Sequence, residues 1–188
     1  MNNIISIDAE TDGLWGKPFA IAAIVYDDKG IEVEKICLRL SNEVVTNEWV
    51  KENVLPTLNF PVTHCLNNFF TQFSQNEPRK KAYRAMMFTF AQFYMKHKDA
   101  TALWHMGHVV ESFLFRELLR LDLIGEFDAP YLPIEVSAYL EQANEKADSV
   151  DEYVEKYHLN ISDYGSTHNP LYDCEVAYKV YKNINEKR

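Results

Sequence analysis

Residues 6–15 read SIDAETDGLW, directly after the apolar pair Ile4 and Ile5. The run IISID has the length and β-branched content of a buried strand. Yet it leads into three acids, Asp8, Glu10 and Asp12, within five residues. In a strand, residues i and i+2 point to the same side. Asp8 and Glu10 therefore present two carboxylates together at the strand's end, and Gly13 then lets the chain turn. Such acids repel one another unless a metal ion, a basic side chain or water sits among them. Taken alone, the stretch reads first as a solvated strand end.

Further along, FAIAAIVYDD (19–28) reads as a second strand, DDKG (27–30) as a turn, and IEVEKICLRL (31–40) as a third strand with one wet face. Three early strands imply an antiparallel meander. Residues 47–55 read as a short helix stopped by Pro56. The pattern from Thr63 to His97 is helical, broken at NEP (76–78). ATALWH (100–105) predicts a fourth strand, residues 108–123 an amphipathic helix, and PIEVSA (133–138) a fifth strand. Residues 125–165 read as long loops or an inserted helical piece. The last helix follows STHNPLYD (166–173). This order implies an α/β fold, a mixed five-stranded sheet with helices on its faces. No linker divides the chain, so 1–188 is expected to be one domain.

Composition narrows the classes. The chain has 188 residues, 47% hydrophobic and 13% aromatic, enough for a real core. No apolar run approaches the ~20 residues that cross a bilayer, and MNNIISIDAE lacks the basic start of a secretion signal. No membrane contact is expected. Cys37, Cys65 and Cys174 have no metal-ligand spacing, which favours a reducing cytoplasm. A net charge of −9 argues against bulk attraction to nucleic acid. It is compatible with an enzyme that meets a nucleic-acid end through bound cations. Basic residues gather at RKKAYR (79–84), at Lys96 and Lys98, and at Arg116 and Arg120, where solvated helix faces are the plain expectation.

The C-terminal segment adds chemistry. HNPLYD places His168 and Asp173 with four residues between them. Asn169 suits a helix N-cap, and Pro170 suits the first helical turn. His168 then lies on a loop with Gly165, free to swing towards a substrate, and Asp173 lies one turn into the helix. A histidine titrates near neutral pH and can take a proton from water.

Together, DAETDG near the start and HNPLYD before the last helix resemble the DEDDh 3′–5′ exonuclease superfamily, of ribonuclease H-like fold. Proofreading subunits, oligoribonuclease and ribonuclease T belong to it. Within it, LWHMGHVVESFLF (103–115) and EWVKENVLP (48–56) are similar to a branch holding polyadenylate-specific exoribonucleases and phage exonuclease A. Glu111 stands where that branch has its third aspartate, Val110 where it has phenylalanine, and IEVSA (134–138) lacks its arginine.

The resemblance implies hydrolysis of single-stranded RNA or DNA 3′ ends to nucleoside 5′-monophosphates, with RNA slightly favoured. It implies two divalent cations, magnesium or manganese, which want oxygen ligands. Asp8, Glu10 and Asp173 would hold one ion, Asp8 and Glu111 the other, with His168 as general base. Asp12 is expected to be a turn residue. Thr11, Leu14 and Trp15 would flank the terminal nucleotide, although Leu14 and Trp15 read equally well as core; Trp104 and Phe113 read as core. A homodimer is also compatible with the branch. The alternative function is a catalytically weak or inactive nucleic-acid-binding member of the same fold. A phosphatase with an Asp-x-Asp strand ranks below both, since position 10 is Glu and His168 and Asp173 would have no task.

Overall fold

The computed structural model describes residues 3–61 and 78–187. The helical stretch expected over 63–76, and Cys65, lie outside the described residues. Five strands form one mixed sheet: β1 (Ile4–Thr11), β2 (Pro18–Tyr26), β3 (Glu32–Arg39), β4 (Thr101–Trp104) and β5 (Ile134–Glu135), in the order β3-β2-β1-β4-β5. β1–β2 and β2–β3 pair antiparallel, whereas β1–β4 and β4–β5 pair parallel. The described helices are α1 (Glu48–Asn53), α2 (Pro78–Lys96), α3 (Val110–Arg120), α4 (Val136–Gln142), α5 (Val150–Tyr157) and α6 (Pro170–Glu186).

Alternation along β1 divides the layers. Ile5, Ile7 and Ala9 join one core with Met86 and Phe90 of α2 and Leu114 and Leu118 of α3. Ser6 faces the other way, and its hydroxyl donates to the Cys174 carbonyl of α6 at 2.8 Å. Leu103, Val136, Leu140, Val176 and Val180 form a second core beneath α4 and α6. β2 is buried along its whole length, which explains why its sequence is an unbroken apolar run and not an alternating one.

The fold class expected from the sequence is the fold observed, with local differences. β5 has two residues, because Glu135 ends it: the Glu135 carboxylate accepts the Ser137 N–H and caps α4. Of the two readings open for residues 125–165, the helical one holds: the segment contains α4 and α5, and Ser149 caps α5 by accepting the Glu152 N–H. Among the described residues no helix is long and apolar enough to cross a membrane.

Parallel pairing of β1 with β4 ends at Ser6 opposite Leu103. β4 ends one residue later at Trp104 while β1 runs on to Thr11, and the C-terminal ends of strands are where open α/β sheets form a ligand crevice. Asp8 and Glu10 occupy that end of β1. Gly107 lets the chain leave β4 closely: a Cβ there would lie 2.3 Å from Cδ1 of Trp104.

Candidate active site

Asp8 and Glu10 share the Ser6 face of β1 and so point towards α6. Asn169 caps that helix, accepting the Leu171 N–H, and Pro170 opens it. This start fixes Asp173 in the first turn, over the end of β1. One carboxylate oxygen each from Asp8, Glu10 and Asp173 lies within 4.8 Å of the others. The only buried side-chain N or O atom without a hydrogen-bond partner among the described residues is Oδ2 of Asp8. A buried, unpaired carboxylate oxygen is costly. Hard oxygen donors converging in this way suit a magnesium- or manganese-sized cation.

The electrostatics agree with the geometry. Burial raises the pKa of Asp8 well above the usual carboxylate range, and the charges of Asp173, Glu111 and Glu10 push it further. Burial raises Asp173 as well, with Glu10 adding to it. Glu10 is raised by burial, against an opposing contribution from His168. Three carboxyls forced towards their neutral forms are what a cation of double charge would relieve.

His168 stands beside this group with Nδ1 3.7 Å from Oε1 of Glu10. Its pKa is raised, chiefly by the Glu10 carboxylate, while burial pulls it down. Its backbone has φ +69°, in the left-handed region that side chains seldom adopt. The conformation is tied down on several sides. The His168 N–H donates to Oδ2 of Asp173 at 2.9 Å, and the Thr57 hydroxyl donates to the His168 carbonyl at 2.8 Å. Asn169 donates to the Thr57 carbonyl and to Oδ1 of Asn59. The loop read as free to swing is therefore anchored to residues 57–59.

Glu111 lies in the first turn of α3, nearly fully buried, and its Oε1 accepts the Ala9 N–H at 3.0 Å. That N–H is available because β4 stops short. Burial pushes Glu111 up to about 8. Glu111 lines the same cavity of about 420 Å³ as Asp8, Glu10, His168 and Asp173, but it stands outside the tight three-acid group.

The remaining candidates divide. Leu14 is 61% exposed and lines the cavity. Trp15 is 74% exposed at the loop tip and does not line it. Thr11 is buried. Trp104 is core, as read, whereas Phe113 is half-buried with the Arg116 guanidinium over its ring. Asp12 is a turn residue: it accepts the Thr46 N–H and hydroxyl and the Asn47 N–H. Burial opposes its charge, but those donors hold its pKa below the ordinary value.

Two contributors escaped the sequence reading. Trp49 packs edge-on to the His168 ring at 5.5 Å, a contact across more than a hundred residues that no local pattern signals. Asp151 lines the cavity and accepts from the Thr167 and Tyr172 hydroxyls. The Ser149-x-x-Glu152 spacing, a capping signature, marked the helix that carries it.

No protein-family model matches this chain, and no curated protein matches it in sequence. Among solved structures, "Exonuclease X in complex with 5′ overhanging duplex DNA" superposes on 100% of this chain and 92% of that chain, with a TM-score of 0.51 and 16% identity. The chain shares the fold of that exonuclease, and at this identity the likeness is one of fold.

Proposed function

We propose that the protein is a divalent-cation-dependent 3′–5′ exonuclease, acting as one domain over residues 1–188. Its substrate is a single-stranded nucleic-acid 3′ end, with RNA slightly favoured over DNA, and its product is a nucleoside 5′-monophosphate. The observation that carries this reading is the convergence of Asp8, Glu10 and Asp173 around an unpartnered buried oxygen, with His168 beside them. The likeness in fold to a nuclease solved with DNA supports it; fold alone would not.

Asp8, Glu10 and Asp173 would hold one cation, and Glu111, from the first turn of α3, would complete a site for a second with Asp8. Bound cations supply Lewis acidity towards the scissile phosphate and acidify the attacking water. The protein's own groups do the rest. His168 accepts the proton of that water, and Glu10 beside Nδ1 orients the ring and stabilises its charged form. Leu14 provides an apolar wall for the terminal nucleotide.

A 5′-labelled single-stranded oligonucleotide should shorten stepwise from its 3′ end with manganese or magnesium, releasing 5′-monophosphates, and RNA should be trimmed faster. A circular strand should stay intact. Equal cutting in excess chelator, or nicking of the circle, would sink the reading. One observation favours the second reading, a binding module of weak or no activity: Glu111 engages the Ala9 N–H and stands apart from the three acids. Tight binding of the same oligonucleotide without shortening would select it.

A further inference from the structure

The turn between β1 and β2 has two sides. Leu14 lines the acidic cavity, and Lys17, three residues on, lines a second one of about 610 Å³. Phe19 and Leu40 contribute apolar floor to this second groove, and its wall carries Lys17, Lys80, Arg84 and Arg120. Those are 4 of the 19 lysines and arginines in a chain of net charge −9. Among the described residues Asp12 is the one acid of the lining, and its carboxylate is occupied by Thr46 and Asn47.

The cations come from three segments: the β1–β2 turn, α2 and α3. They are not one solvated helix face. Internal contacts also hold them in place. Lys17 Nζ lies 5.4 Å from the centre of the Tyr83 ring, and the Tyr83 hydroxyl donates to Glu117. Arg120 donates to both Glu117 oxygens, and Arg84 to the Leu121 carbonyl. Arg120 is ion-paired with Glu117, as Lys96 is with Glu34 and Lys98 with Asp128; what sets Lys96 and Lys98 apart is that they do not line the groove.

We infer that this groove binds the sugar–phosphate backbone of the nucleic acid beyond the terminal nucleotide. The identity of the occupant rests on the nuclease reading. An acidic centre repels the polyanion it must cut, so a strand needs a cationic hold beside that centre. Charge complementarity and the shared turn place the hold here.

The test is fluorescence anisotropy with a labelled single-stranded oligonucleotide in chelator, across a salt series, with Lys17→Gln combined with Arg84→Gln. Each lost phosphate contact lowers the slope of log affinity against log salt by about 0.7 for single strands, so the double variant should lose about 1.4. With cations present, its ratio of kcat/KM for the long oligonucleotide over a dinucleotide should fall. The pair Lys29→Gln and Lys182→Gln, at the opposite end of the sheet, removes the same charge and should leave the slope unchanged. An unaltered slope in the groove variant, an equal loss in the control pair, or no binding by the native protein overturns the inference. The two readings fail separately. Trimming with an unaltered slope leaves the nuclease and removes the groove. Groove-dependent binding without hydrolysis does the reverse.

Discussion

Asp8→Asn is expected to keep its fold and to lose 3′-end hydrolysis to background. Asp8 sits at the centre of the proposed site: its Oδ2 has no partner, and Asp173, Glu111 and Glu10 all act on its charge. An amide removes the ligand charge that a divalent cation needs. Stability gives an independent readout. The carboxyl pKa values here are raised in the folded state, so their contribution is fully present below the ordinary carboxyl pKa of about 4. It is lost as pH rises through the folded values, up to about 8 for Glu111. In chelator the native protein should therefore melt at progressively lower temperature from acid to pH 8. Asp8→Asn should flatten part of that slope and melt above the native protein at its alkaline end. Manganese at about 100 times its Kd should add about 2.7 kcal/mol to the native protein, roughly 5–10 °C for a chain of this size. The variant should gain little. Native hydrolysis by Asp8→Asn, or an undiminished manganese shift, would remove Asp8 from the site.

His168→Ala should lower kcat by ~10²–10⁴-fold, the usual contribution of general acid–base catalysis, while the manganese shift survives. The two readouts separate because the His168 contact to Asp173 uses the backbone N–H, which alanine retains. The ring's own interactions are with Glu10 and Trp49. The native rate should rise with pH as His168 loses its proton, with the midpoint lowered once a cation offsets the Glu10 charge. In the alanine variant that rise should vanish. A normal rate, or an unchanged acid limb, would assign the proton to another group.

Much of this arrangement was legible because the signals are local. Period-two alternation put Asp8 and Glu10 on one face, and the Asn169–Pro170 start put Asp173 in the first turn of α6. The apolar run from Phe19 read as a strand, and the structure buries that strand along its whole length. What could not be read depends on where other elements stop. Glu111 meets Ala9 because β4 pairs with β1 only as far as Ser6. β5 shortens because Glu135 caps a helix and also accepts the N–H groups of Met106 and Gly107. Leu14 and Trp15, adjacent in sequence, part company at the tip of a turn fixed by Gly13, at φ +80°, and by Asp12 bonded to residues 46 and 47. The anchoring of His168 by Thr57, and the gathering of Lys17, Arg84 and Arg120, are tertiary and leave no spacing in the chain.

Crystals soaked in manganese, with diffraction recorded at the manganese absorption edge, address the acidic centre itself. An anomalous peak should lie among the carboxylate oxygens of Asp8, Glu10 and Asp173, with a second, weaker peak between Asp8 and Glu111. No peak at saturating manganese, or a lysine or arginine side chain seated among the three carboxylates in its place, would contradict a divalent-cation centre at the end of β1.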